Sequence, residues 1–209
     1  MTPEQAIHLM EITPPRAVEL ARFAALAARI EPELLRRLRV DVLPQLHAGD
    51  EADLWFSPLA ASRGALWMLL LPEVSAILRK QLRGESEERL ARARAAIDAV
   101  HVHAPEAIRI EEEILWLTLD DDAAAARQIE EKLLSAAEAI RSGAQPGLAH
   151  WALRALRNLP PHEVEIIQKI GTDMLIVRRI FQEERPRILG PPPKPNSGRL
   201  VLMAGHLHR

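Results

Sequence analysis

The stretch "TPPRAVELARFAALAARI", Thr13–Ile30, sets the fold class. Thr13 is read as an N-cap and Pro14 as the first helical residue, where the missing N–H costs nothing. Val18, Ala21, Ala25 and Ala28 fall on one stripe, and Phe23, Leu26 and Ile30 widen it. The alanines allow a second helix to approach closely. A helix with this pattern has to bury one face against others like it, so the stretch predicts an all-α bundle.

The same grammar continues downstream. "EPELLRRLRVDVLPQLH" restarts at Pro32, with Leu34, Leu35, Leu38 and Val42 facing inward. Glu33 near its start and Arg36, Arg37 and Arg39 farther along suit the helix dipole. "PEVSAILRKQL" starts at Pro72. Ser86 to about Val102 is capped by "SEER", a capping box made incomplete by Arg89. "PEAIRIEEEILWLTL" starts at Pro105 and is expected to bury Ile110, Ile114 and Leu117. Asp122 opens a helix that ends at Gly143, and "PGLAHWALRALRNLPP" is short and amphipathic. The helix at 163–184 keeps Ile170, Met174, Val177 and Phe181 at 4-3-4 spacing and is apolar over more than half its circumference. Such a helix is either central to the bundle or shared with a second copy as a homodimer contact.

One segment breaks the pattern. "AGDEADLWFSPLAASRGALWMLLLPEV" holds two of the four tryptophans and one of the three phenylalanines, in a chain without tyrosine. Asp50 can cap a one-turn helix through Leu54, Ser57–Pro58 reads as a second helix start, and "ALWMLLL" reads as a short extended or buried stretch. Trp55, Phe56, Leu66 and Trp67 are read as anchors, since each large buried ring contributes roughly 2–3 kcal/mol. Two roles follow: pins for an irregular connection near residues 49–71, or part of a partner groove that includes Arg63.

The organisation predicted is about eight helices over 1–187, a Pro-rich linker over 188–198 and a tail over 199–209. "PPPKPNSG" is stiff, and "RLVLMAG" after it reads as a strand without an evident neighbour: a frayed tail, a strand added to a partner or the first element of a further domain. Residues 104–139 carry 10 acids and 3 bases, and residues 140–209 carry 11 bases and 5 acids. These blocks suit either antiparallel neighbours with complementary faces or a basic third that meets an acidic partner.

Chemistry is sparse. Net charge is −2, which argues against a nucleic-acid partner, and no aromatic platform accompanies the arginine clusters. The chain has no cysteine, which excludes disulfides, thiolate metal sites and cysteine nucleophiles and fits a reducing, cytoplasmic setting. No apolar run reaches the roughly 18 residues of a membrane span. His101 and His103 form H-x-H at a helix end, where i and i+2 side chains diverge, so no metal is expected. Glu111–Glu113 fan around a helix, and Asp120–Asp122 sit at a cap; if one glutamate is buried, Glu113 is the candidate, with an arginine partner. No phosphate loop, dinucleotide fingerprint or nucleophile elbow is present, so no catalytic residue and no cofactor is assigned.

"RIEPELLRRLRVDVLP", "AGDEADLWFSPLAASRG", "LPEVSAILRKQL" and "RIEEEILWLTL", in that order, resemble a helical domain of large bacterial conflict and immune-signalling proteins. That domain lies N-terminal to a formylglycine-generating-enzyme-like domain of C-type-lectin fold. The likeness covers about Arg29 to Pro160, with "EADLWFSPL" its most specific piece. It implies a module joining protein partners such as a protease, an NTPase or a lectin-fold component, and it carries over no residue roles. The chain departs from the pattern in leaving no room for a lectin-fold domain, so a front piece of a longer protein or a short relative is expected. Trp55, Phe56, Arg63, Trp67, Met174, Val177 and Phe181 are the candidate contact residues. The alternatives are a regulatory inhibitor or protease substrate of such a system, released by cleavage, and after them an enzyme with a carboxylate or histidine site.

Overall fold

Proline placement explains where half of the described helices begin. In the computed structural model, which describes residues 1–120 and 122–141, α1 (Pro3–Glu11), α2 (Pro15–Ala24), α3 (Pro32–Arg37) and α5 (Pro72–Leu82) each carry proline at their first position. The other helices are α4 (Ala48–Trp55), α6 (Glu87–Val100), α7 (Glu106–Leu117) and α8 (Ala123–Arg141). Eight helices and one short hairpin make the described region predominantly helical. None of its helices is long and apolar enough to cross a membrane. The expected 163–184 helix, the linker and the strand-like tail lie outside the described residues.

Two boundaries differ from the sequence reading. α2 starts at Pro15, because proline following Pro14 holds it extended at φ −50°, ψ 131°. Thr13 instead donates its hydroxyl to the Leu9 carbonyl at 2.7 Å and closes the end of α1. α2 also stops at Ala24, short of the predicted Ile30. Over the next six residues the helical ladder gives way to tight i−3 turns at Leu26 and Ala27 and to tertiary bonds. The Ala25 carbonyl accepts from Arg79, the Ala28 N–H donates to Glu112, and Ile30 exchanges two bonds with Met68.

The core forms where α2 is enclosed by α1, α4 and α5, with α3 and α6 closing the other side. Leu34, Leu35, Leu38 and Val42 are buried as their spacing predicts. A π-helical turn over Leu38–Val42, closed by Leu43 N–H to the Leu38 carbonyl at 3.1 Å, keeps Leu38, Val42 and Leu43 all inward. α4 is longer than the predicted single turn. Asp50 reaches back to the His47 N–H at 2.6 Å from inside the helix instead of capping it.

The insertion after α4 is a hairpin. Ser57–Pro58 begins no helix; buried Ser57 accepts from the Leu59 N–H at 3.3 Å and turns the chain. β1 (Ala60–Arg63) then pairs antiparallel with β2 (Met68–Leu70), with a register irregularity between Ala60 and Ser62. Ile30 bridges the far side of β2 at Met68 and ties the hairpin to the core.

Candidate functional site

The aromatic insertion divides into residues that hold it and residues it displays. Leu54, Leu59 and Met68 are fully buried and do the anchoring. The expectation that Phe56 and Leu66 are pins is overturned: they are 74% and 73% exposed, and Trp67 is 37% exposed. Trp55 is half-buried against the core. The cause is periodicity. Leu54 is the last α4 residue on the inner face, so Phe56 at the helix end points outward, and residues 64–67 form the hairpin turn beyond the buried strand residue Met68.

Arg63 joins the two displayed parts. Its Nη1 donates to the Trp55 carbonyl at 2.9 Å, fastening β1 to the end of α4. At the turn, Gly64 N–H donates to the Trp67 carbonyl at 2.8 Å, and the Trp67 indole lies directly over the Gly64 Cα. A Cβ at Gly64 would stand 2.5 Å from Trp67 Nε1. Gly64→Val is therefore expected to expel the indole while changing global stability by no more than about 1 kcal/mol, because both residues lie outside the core. The indole N–H resonance of Trp67 reports it; an unshifted resonance in the variant contradicts this packing.

The ionisable residues converge elsewhere and in a different pattern. His101, the C-cap of α6, is buried with Nδ1 2.5 Å from Glu112 Oε1 of α7 and Nε2 2.8 Å from Glu31 Oε2 before α3. Burial opposes the charged ring, but the hydrogen bonds and charges of Glu112 and Glu31 overcome it and raise His101 to about 9. Burial likewise works against the Glu31 carboxylate, and His101 with Arg29 outweighs it, leaving Glu31 below its usual range. Glu112 Oε1 also accepts from the Ala28 N–H at 3.1 Å. The glutamate buried is thus Glu112 and not Glu113, and its partner is a histidine, not an arginine. Glu113 sits half-exposed with Lys132. Both nitrogens of an imidazolium donate here, so the ring has no lone pair for a metal or a substrate proton. His103 is exposed, and among the described residues no three His, Asp or Glu side chains are placed to hold a metal ion.

Two open clefts lie among the described residues. One of about 400 Å³ between α6, α7 and α8 has Arg94 over the Trp116 ring at 5.1 Å and Lys132 paired with Glu113 at its wall. The other, of about 510 Å³, is mainly apolar and lies among Ile7, Met10, Val18 and Ile77. Neither gathers the sequence-predicted residues. Arg63 ties the end of α4, which carries Trp55 and Phe56, to the hairpin, which carries Trp67, whereas Met174, Val177 and Phe181 lie outside the described residues. Sequence reasoning missed Leu66 as a displayed residue, although its place in a four-residue turn after Gly64 is the available signal. It also missed buried Arg79, which bonds Ser75 at 2.6 Å and Thr118 at 3.2 Å and looks in sequence like its solvent-facing neighbour Lys80. No family model, no curated protein and no solved structure matches the chain.

Proposed function

We propose that the chain is a non-catalytic protein-interaction module that engages its partner through the hairpin and the end of α4. One observation carries this reading: a chain with few aromatics displays Phe56, Leu66 and part of Trp67 on a single insertion that Leu54, Leu59 and Met68 hold rigidly to the core. Exposed large apolar side chains gathered on a fixed element are the composition of a docking surface, where aromatic anchors dominate the binding energy. In this reading the module serves a bacterial conflict or signalling assembly in the cytoplasm, with a protease, an NTPase or a lectin-fold component as partner, and what supports it is the sequence resemblance over about Arg29 to Pro160.

The test is co-purification from the native host, comparing the natural chain with Phe56→Ser, Leu66→Ser. Both residues are exposed, so the double variant is expected to keep its unfolding free energy within about 0.5 kcal/mol per site. It should lose a partner that the natural chain retains, by tenfold or more if the pair contributes about 1.4 kcal/mol to binding. A folded variant that retains the same partners in the same amounts overturns the reading. A regulatory inhibitor or protease substrate remains the second reading, resting on the linker sequence at 188–198, and limited proteolysis by partner proteases separates it.

A further inference from the structure

The buried charges and the displayed hairpin meet in one short segment. α2 ends at Ala24 and α3 begins at Pro32, which leaves Ala28–Ile30 outside both helical ladders. The two ends of the segment go to the charged cluster. The Ala28 N–H donates to Glu112 Oε1 at 3.1 Å, and the Glu31 carboxylate accepts from His101 Nε2 at 2.8 Å. His101 joins the ends, because its Nδ1 faces Glu112 Oε1 at 2.5 Å. Between them Ile30 goes to the hairpin: its N–H donates to the Met68 carbonyl at 3.0 Å, and its carbonyl accepts from the Met68 N–H at 2.8 Å.

This arrangement does what packing alone does not. Burial of Leu59 and Met68 draws the hairpin to the core, but apolar attraction has no direction. The paired bonds between Ile30 and Met68 do have one, and they fix the angle at which β2 leaves the core. Those bonds hold only if Ile30 itself is held, and its neighbours on both sides are held by charge. Glu31 shows the same bias locally. It occupies the N-cap position of α3 but makes no side-chain capping bond, and its carboxylate turns to His101 instead. Ile30, Met68, His101 and Glu112 are all buried, so water does not replace a bond that is lost among them.

We infer that Glu31, His101 and Glu112 are positioning residues for the hairpin: through Ala28–Ile30 they hold β2, and with it Leu66 and Trp67 at the turn, in one orientation. The positioning stands by itself; only its consequence for a partner rests on the interaction reading above. Amide hydrogen exchange on the full chain tests it, comparing the natural sequence with Glu31→Gln. That change removes the charge and keeps the shape of a side chain that is 16% exposed, so the fold is retained. The Leu78 amide, inside α5, reports the change in global stability. The Ile30 and Met68 amides are expected to accelerate by at least about tenfold more than Leu78 does, the factor that 1.4 kcal/mol confers. The Leu71 amide, bonded to the Leu59 carbonyl at 2.8 Å within the insertion, should follow Leu78, because the hairpin moves as a unit. A merely structural role for the cluster accelerates all four amides alike, and that result overturns the inference. So does a Met68 amide that exchanges no faster than in the natural chain. Partner capture is read separately. Glu31→Gln should capture less partner than the natural chain, since a loosened surface has to be ordered on binding. Full capture by a variant with accelerated Met68 exchange overturns the link to binding. A natural chain that captures no partner dependent on Phe56 and Leu66 overturns the interaction reading and leaves the exchange result intact.

Discussion

Glu112→Ala is expected to lower the unfolding free energy by about 3–5 kcal/mol, the cost of leaving a buried charge without its partner. The carboxylate holds His101 at 2.5 Å and the Ala28 N–H at 3.1 Å, so its removal strands a buried ring nitrogen and a buried backbone donor together. Glu31 still faces the other nitrogen, which keeps the ring charged in a site that has lost half its compensation. Glu113→Ala, one residue on, removes a half-exposed pair with Lys132 and should cost only about 0–1 kcal/mol. Urea unfolding of the two variants side by side is the measurement. If their losses agree within error, the buried triad does not hold α3, α6 and α7 together.

The sign of its pH dependence follows from the two shifts. His101 is raised from 6.5 to about 9, so its contribution is complete below 6.5 and is lost as pH rises through about 9. Glu31 is lowered from 4.5, so its contribution is complete above 4.5 and is lost as pH falls through its lower folded value. The cluster therefore stabilises most between about 4.5 and 6.5. The difference between the natural chain and His101→Phe should be largest there and shrink by pH 10.

What was legible in the sequence was local. Pro32 and Pro72 mark helix starts because proline at the first turn sacrifices no hydrogen bond, and Leu34, Leu35, Leu38 and Val42 face inward because their spacing leaves no other face. Ser86 caps α6 through the Arg89 N–H as its position suggests. α1 carries an equally local signal in Thr2 and Gln5, which exchange both bonds of a capping box, at 3.3 and 2.9 Å. The misread features are those decided by distant residues. Nothing near Ala25–Ile30 says that Arg79, Glu112 and Met68 will take over its backbone groups. His101 meets Glu31 across 70 positions of sequence, and a rotation of α7 by one residue decides between Glu112 and Glu113. The displayed aromatics were misread for a related reason. Hydrophobicity states that Phe56 gains by burial somewhere, whereas only the phase of α4 states that the place is not this core.

Phe23→Ala should be as damaging as the loss of Glu112, at about 3–5 kcal/mol, because it empties a fully buried site in the last turn of α2. The ring also has a second role. Arg22 and Arg89 place their guanidiniums 5.8 and 5.1 Å from its centroid, and both donate to Glu85, at 2.9 and 3.0 Å. Arg89 also reaches Glu19 of α2 at 3.4 Å, so the cluster clamps the start of α6 onto that helix. Burial opposes the Glu85 carboxylate, but the Ser86 N–H and the two arginines hold it below its usual range. The hydrophobic and cationic contributions separate in Phe23→Leu, which keeps most of the apolar volume and removes the π face. Each cation–π contact is worth about 0.5–1 kcal/mol at this degree of exposure, well below the transfer and cavity cost of the alanine variant. Phe23→Leu is therefore expected to lose roughly 1–2 kcal/mol. Part of that loss should vanish when Arg89 is already alanine, giving a coupling of about 0.5–1 kcal/mol in the double-mutant cycle. A coupling of zero would leave Phe23 as a hydrophobic plug and assign the α2–α6 clamp to the Glu19 and Glu85 ion pairs alone.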